Sequence, residues 1–172
     1  MPATVTGAQA GSDAAATVGA APPTLGAPAK KEKTMGLTIV VGYDGSDCAK
    51  AALDRALGMA GPSGRVIITY ADAPPRIGAS SLVPPETVKE LGETVTAGAL
   101  DEARRRGVPA EVVLENQRPA EALMAVAARS KADLIAVGSR GESQLTGLLL
   151  GSTPYHLVHR TTMPLLVVPK AA

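Results

Sequence analysis

Two glycine-containing segments in the second half of the chain carry the residue types that bind phosphate. Gly138-Ser139-Arg140-Gly141 and Gly151-Ser152-Thr153 are separated by nine residues, which include Ser143 and Gln144. Glycine lets backbone N–H groups approach an anion closely because it has no Cβ atom, and a helix N-terminus offers further donors. The hydroxyl and amide side chains add donors, and Arg140 can pair with a phosphate. The segments therefore predict a phosphate-binding loop, although a simple turn followed by an ordinary helix cap would use the same residues.

A third segment, Gly42-Tyr43-Asp44-Gly45-Ser46, follows an apolar run and also looks unlike scaffolding. Asp44 can accept hydrogen bonds from nucleotide hydroxyls or hold a cation that is bound to phosphate. A carboxylate directed at a polyphosphate without a metal would repel it, which favours a place near a ribose or a Mg²⁺ bridge. The alternative is structural, because aspartate is common in Asx turns and helix caps after strands.

The motifs of two large classes of nucleotide-binding enzymes are missing from the sequence. There is no G-x-x-x-x-G-K-[ST] loop, which excludes a P-loop NTPase, and no G-x-G-x-x-G after the first strand, which argues against a dinucleotide fingerprint. A single cysteine excludes a Cys-based zinc cluster. No evident base stands ready to activate water, and we interpret Glu142 as a loop residue that faces solvent.

The segments must be positioned by the elements around them, and from Leu37 the chain alternates apolar runs with amphipathic stretches. The predicted strands are Leu37–Val41, Val66–Tyr70, Val112–Leu114, Leu134–Val137 and Leu165–Val168. Helices are predicted from residue 46 or 47 to 60, over 85–106, from 119 and over 152–161. Continuously apolar strands between amphipathic helices indicate a doubly wound parallel sheet, which binds ligands beyond the carboxyl ends of its strands.

Composition sets the wider limits. Residues 1–34 are rich in Ala, Pro and Gly and lack an apolar face, which predicts a disordered extension before a folded domain at 35–172. Residues 72–85 are predicted to form a long loop. The net charge of +1 and the absence of aromatics other than three tyrosines argue against nucleic-acid binding. No apolar run is long enough to span a membrane and no secretory signal is evident, so we expect a cytoplasmic protein.

Taken together, the motifs resemble those of the universal stress protein family. Residues 138–152 read G-S-R-G, nine residues, then G-S, which is similar to the family's ATP-binding signature G-x2-G-x9-G-[ST]. Val40–Ser46, Asp133–Gly138 and Pro164–Val168 resemble the family's first strand and turn and its fourth and fifth strands. The resemblance covers residues 36–170.

The resemblance implies a three-layer α/β fold of the adenine nucleotide alpha hydrolase type, with a five-stranded parallel sheet in the order 3-2-1-4-5. It implies ATP, with Mg²⁺, as the ligand. Asp44 and its neighbours Gly42, Tyr43, Gly45 and Ser46 would lie near the ribose and adenine, and Tyr70 along the base. The loop from Gly138 through Ser139, Arg140, Gly141, Glu142 and Ser143 to Gln144 would hold the phosphates with Gly151, Ser152 and Thr153. The resemblance further implies a homodimer through Leu165–Val168.

Three functions are compatible with these features. The first is a regulatory or signalling module of the stress response that binds ATP and acts on an unidentified protein partner. The second is a slow ATPase, and the third is a nucleotide-free dimeric interaction protein. The missing base favours the first function over the second, and the intact glycines with Ser152 favour it over the third.

Overall fold

The structure, a computed structural model, describes residues 36–73, 76–77, 80–81, 84–141 and 150–170. Its main strands form where the sequence has continuous apolar, β-branched runs. They are β1 Thr38–Gly42, β2 Arg65–Ala71, β5 Ala110–Glu115, β6 Leu134–Gly138 and β7 Leu165–Val168. The five sequence-predicted strands are confirmed, with bounds shifted by one or two residues.

Helices follow the predicted strands at the expected places. The described helices are α1 Asp47–Ala60, α2 Pro85–Arg105, α3 Pro119–Ser130 and α4 Ser152–Arg160. The Ser46 side chain caps α1 by accepting a hydrogen bond from the Ala49 N–H, and Gly61, with φ of 59°, ends that helix. Proline occupies the first turn of α2 and of α3, where its missing N–H has no intrahelical role.

All neighbours in the main sheet are parallel, and their order is β5-β2-β1-β6-β7. In terms of the predicted strands this is 3-2-1-4-5, so the expected topology is confirmed. The order places β1 at the centre, between β2 and β6. The direction of winding reverses there, because the chain leaves β1 toward β2 and β5 and later returns to the other side as β6 and β7.

Helices cover both faces of the sheet and create two separate cores. On one face α1 and α2 pack against residues such as Ile39, Val41 and Ile68. On the other face α3 and α4 pack against Val40 and Ile67 among others. Successive strand residues point to opposite faces, so strands buried on both sides require the uninterrupted apolar runs that the sequence shows.

The predicted loop over residues 72–85 is wrong in part. Arg76–Ile77 (β3) and Ser80–Ser81 (β4) form a short antiparallel ladder in place of continuous loop. Strands of two residues are too short to show a period of two in the sequence, which explains why pattern reasoning missed them. The prediction for the extension at 1–34 lies outside the described residues.

None of the helices within the described ranges combines the length and the apolar character that a bilayer span requires.

Candidate functional site

The carboxyl ends of β1 and β6 lie side by side where the winding reverses. Val40 of β1 is in register with Ile135 of β6, and Val41 with Ala136. The segment after β1 therefore emerges next to the segment after β6, as the strand order implied by the family resemblance predicts. This is the place where doubly wound folds bind ligands.

A cavity of about 540 Å³ opens at this place. Its wall contains ten residues that the sequence singled out: Gly42, Tyr43, Asp44, Tyr70, Gly138, Arg140, Gly141, Gly151, Ser152 and Thr153. The strand ends, the loop after β6 and the start of α4 are thus brought together around one space. Three further predicted residues, Glu142, Ser143 and Gln144, lie outside the described residues.

Asp44 lies directly against the glycine loop. A Cβ atom added to Gly141 would lie 2.7 Å from Oδ2 of Asp44, so only a glycine leaves the carboxylate where it is. The other carboxylate oxygen, Oδ1, accepts a hydrogen bond of 3.0 Å from the Ser46 N–H. Asp44 therefore has the structural role in an Asx turn that the sequence left open, and it also lines the cavity.

Gly45 and Ser46 support the turn without lining the cavity. Gly45 has a φ of +83°, a conformation that residues with a side chain rarely adopt. Ser46 accepts a 3.2 Å hydrogen bond from the Ala49 N–H and so fixes the start of α1. Both residues lie in the predicted segment beside the cavity, and their observed contacts are structural.

Gly138 and Ser139 hold the loop after β6 in place. A Cβ on Gly138 would lie 2.7 Å from both the carbonyl carbon and the Cβ of Cys48, so glycine allows β6 to pass close to the start of α1. Ser139 accepts a 2.7 Å hydrogen bond from the Gly151 N–H through its backbone oxygen. That bond joins the two glycine segments, and Ser139 is therefore a positioning residue outside the cavity wall.

The backbone N–H groups at the start of α4 are hydrogen-bond donors that no described side chain caps. The N-cap residue is Gly151, and no side chain of the described chain caps this helix. Ser152 and Thr153 occupy the first turn, whose N–H groups have no intrahelical acceptor, and Pro154 has no N–H to offer. Arg140, on the exposed side of the cavity, forms no ion pair with a carboxylate in the described part of the chain. These groups make this end of the cavity attractive to an anion.

Two tyrosines border the cavity on the side of α1 and α2. A Cβ on Gly92 of α2 would lie 2.9 Å from the Tyr70 ring and 2.8 Å from Leu114, so Gly92 makes room for that ring. Tyr43 is buried, and this burial raises the pKa of its hydroxyl above the ordinary value. The negative charge of Asp44 raises that pKa further, by a smaller amount. Tyr43 therefore stays protonated at neutral pH.

Sequence reasoning missed several residues of the cavity wall. They are Ala49, Thr69, Ala71, Asp72, Leu91, Pro119, Leu123, Val137 and Pro154. Most are ordinary apolar residues of strands and helices, for which no motif exists. Asp72 could have been found from its place two residues after the predicted strand Val66–Tyr70.

A resident metal centre has no ligand set in the described residues, where no group of three or more His, Cys, Asp or Glu side chains converges. Asp44 and Asp72 nevertheless both line the cavity. Mg²⁺ bound together with a nucleotide needs only one or two protein carboxylates, because phosphates and water supply its other ligands. The residues thus fit a Mg²⁺ that arrives with a phosphate ligand.

The sheet order and the position of the cavity define the class: a doubly wound α/β protein with a cavity at the topological switch point. The sequence profile of the universal stress protein family matches residues 35–169. The chain belongs to the universal stress protein family.

Individual relatives agree with this assignment. The chain is 35% identical over 138 residues to the universal stress protein Rv1636 of Mycobacterium tuberculosis, covering 76% of this chain and 94% of that protein. It is 38% identical over 138 residues to a universal stress protein of Thermus aquaticus, covering 76% and 97%. A solved universal stress protein in complex with cAMP is 31% identical, with a TM-score of 0.59 and coverage of 80% and 100%.

Proposed function

We propose that the cavity binds an adenine nucleotide, with Mg-ATP as the main ligand, and that the chain is a regulatory nucleotide-binding module of the stress response. The observation that carries the proposal is the convergence of the Asp44 carboxylate, Gly141 and the uncapped start of α4 on one cavity. The carboxylate can accept hydrogen bonds from ribose hydroxyls, and the backbone N–H groups beside it can donate to phosphates. A nucleotide carries both kinds of group.

The cavity suggests an orientation for the ligand. The phosphates would lie against Arg140, Gly141 and the first turn of α4, where backbone N–H groups and the helix dipole attract negative charge. The ribose would lie near Asp44 on β1, and the base beyond it toward Tyr70 at the end of β2. The carboxylate would then accept from ribose hydroxyls and stay clear of the terminal phosphate charge.

The relative that was solved with cAMP supports the adenine nucleotide, since its sequence and fold are both similar to this chain. The preference for ATP rests on the number of donors. Arg140, two backbone N–H groups of α4 and the hydroxyls of Ser152 and Thr153 provide more donors than a single phosphate requires. The alternative position for Asp44 is at the accompanying Mg²⁺, which needs only one or two protein carboxylates.

Binding without appreciable turnover fits the described part of the wall. Asp44 is held by the Ser46 N–H, and His156 and His159 are exposed on α4 away from the cavity lining. The second carboxylate of the described wall, Asp72, follows β2 and so lies at the far side of the cavity from the start of α4, which supports binding over efficient hydrolysis. A slow ATPase is the alternative function.

We also propose a homodimer through β7, the last strand of the sheet. Leu165, Leu166 and Val167 remain half-buried there. An apolar strand with an open edge tends to be covered by another strand.

The substitution Gly141→Ala tests the nucleotide site. The new Cβ would displace the Asp44 carboxylate and cover the loop amide, so affinity for Mg-ATP should fall by about tenfold or more, the loss of one charge-assisted hydrogen bond. Thermal shift and calorimetric titration of the full chain would measure this. Gly98→Ala is the matched control, because a Cβ at Gly98 meets no atom within 4 Å. It should leave affinity unchanged and raise stability by about 0.5–1 kcal/mol.

Equal affinities in wild type and Gly141→Ala would contradict this site. If neither protein carries nucleotide after purification, and neither shows a thermal shift with Mg-ATP, the nucleotide-free interaction protein becomes the better interpretation.

A further inference from the structure

Thr69, the fifth residue of β2, has a buried hydroxyl without a partner. Its side chain is 2% exposed. Within the described residues its Oγ1 is the only buried side-chain nitrogen or oxygen that makes no hydrogen bond. An unpaired buried polar atom destabilises the folded state, so each one requires an explanation.

Burial alone does not leave threonines unpaired in this protein. Thr96 of α2 is 1% exposed, and its hydroxyl donates a 2.7 Å hydrogen bond to the backbone oxygen of Gly92, one helical turn earlier. The two threonines differ in location, since Thr69 lines the cavity and Thr96 does not. Thr96 uses a carbonyl of its own helix, an acceptor that a strand residue lacks, so the cavity beside Thr69 is where a partner for its hydroxyl could be bound.

The surroundings of Thr69 form an apolar wall. Ile67 packs into the core beneath α3, so Thr69, two residues further along β2, points to the same face. Its register partner is Gly42 of β1. A Cβ added to Gly42 would lie 2.9 Å from the Leu123 side chain and 3.1 Å from the Val137 side chain. Thr69 brings a polar side chain to this apolar part of the wall. Mostly apolar walls with a few polar groups are typical of sites that hold small organic ligands.

The place of Thr69 across the sheet distinguishes the two ends of a nucleotide. The anion donors follow β6, Asp44 follows β1, and Thr69 lies on β2. Adjacent strands are about 4.8 Å apart, so Thr69 lies about 10 Å from the phosphate end, with the ribose position between them.

We infer that the Thr69 hydroxyl contacts the base of the bound nucleotide and helps to select it. This inference rests on the proposed function, which it deepens by assigning the base end of the site. A hydroxyl both donates and accepts, so it can pair with a ring nitrogen or with the exocyclic amino group of adenine. The oxygen is shielded from solvent, so this contact requires a rotation about χ1 to a staggered well that faces the cavity, which Thr69 lines.

Thr69→Val tests the inference, because valine keeps the shape and removes the hydroxyl. The affinities of the full chain for Mg-ATP and for AMP should both fall, by the same factor of about three to ten, which is the contribution of one neutral hydrogen bond. The melting temperature without nucleotide should be unchanged or higher, because an unpaired buried oxygen has been removed. Thr69→Ser, which keeps the hydroxyl, should retain most of the affinity.

Thr96→Val is the matched control. It removes a paired hydroxyl elsewhere, so it should lower the melting temperature slightly and leave both affinities at the wild-type value. Calorimetric titration and thermal melts of the four proteins give all the required quantities.

The possible failures are distinct. Wild-type binding with equal affinity in Thr69→Val would overturn the inference and leave the proposed function standing. A loss confined to Mg-ATP would place the hydroxyl at the phosphates and contradict the base assignment. A lower melting temperature for Thr69→Val without nucleotide would mean that the hydroxyl already has a partner, which also overturns the inference. If wild type binds no adenine nucleotide, the proposed function fails and the inference fails with it.

Discussion

Asp44 illustrates how one side chain can support the fold and face the ligand. Its Oδ1 accepts the Ser46 N–H, while its Oδ2 lies where a Cβ on Gly141 would crowd it. One oxygen thus holds the turn after β1, and the other lies close to the loop after β6. A charge in this place acts on any ligand in the cavity, because Asp44 is part of the wall.

Asp44→Asn distinguishes between two possible contacts of this carboxylate, one with the ribose and one with the cation. Asparagine keeps an oxygen for the Ser46 N–H, so the turn should persist and stability should change little. If Asp44 binds the ribose, affinity for AMP and for Mg-ATP should both fall by about tenfold, the loss of a charge-assisted hydrogen bond. Titrations with the two nucleotides provide the comparison. A loss confined to Mg-ATP would place Asp44 at the cation instead.

At this scale the sequence predicts residues that belong to a motif and misses those that do not. The glycines, Asp44 and the start of α4 were found because glycine, hydroxyl and carboxylate residues follow predicted strands. Thr69 was missed because a threonine within an apolar strand is common, and only the coordinates reveal that its hydroxyl is unpaired. Gly92 has no motif around it either, and only its position beside the Tyr70 ring shows why a residue without a side chain stands there.

The elements position the site through close backbone contacts. Gly138 lets β6 approach the first turn of α1, and the Gly151 N–H donates to Ser139, which ties α4 to the end of β6. Ion pairs add connections at the surface, such as Lys170 with Asp47 and Arg160 with Glu121. The exposed pairs contribute little to stability, so packing is what fixes the strand ends.

The free edge of β7 allows a sharp test of the proposed dimer. The backbone oxygens of Pro164 and Val168 accept from β6, so by the alternation along a strand the Val167 N–H points away from β6. Val167→Pro should therefore remove one donor from the free edge, leave the ladder to β6 intact and convert a dimer into a monomer. Sedimentation velocity over a concentration series would measure the change.

Val167→Ala serves as the control for that experiment, since it shortens the side chain and keeps the N–H. It should remain dimeric. A wild-type protein that is monomeric throughout, or a Val167→Pro variant that stays dimeric, would show that β7 is not the interface.

The type and order of the main elements could be predicted because five apolar runs alternate with amphipathic helices, a pattern with few compatible topologies. The β3–β4 ladder could not, because two-residue strands leave no periodic signal. The family resemblance predicts that β1 and β6 are adjacent. The residues alone indicate only that the two strands must be adjacent if the segments that follow them are to face one crevice.

Over the whole molecule, the sheet holds distant parts of the sequence at one place. Asp44 and Gly141 are nearly a hundred residues apart in the chain, yet they are in contact at the switch point. Neither segment could attract a nucleotide alone. The segment with Asp44 lacks hydrogen-bond donors for the phosphates, and the segment with Gly141 lacks an acceptor for the ribose hydroxyls. Function therefore depends on the strand order as much as on the motifs.

Calorimetric titration of the purified full chain with Mg-ATP, with phosphate release followed in parallel, tests the central claim most directly. We predict saturable binding at one site per chain, and phosphate release well below the ordinary enzyme range of about 1 s⁻¹. Absence of binding by Mg-ATP, AMP and cAMP would contradict the nucleotide site. Turnover at or above that rate would contradict a module that binds without hydrolysis.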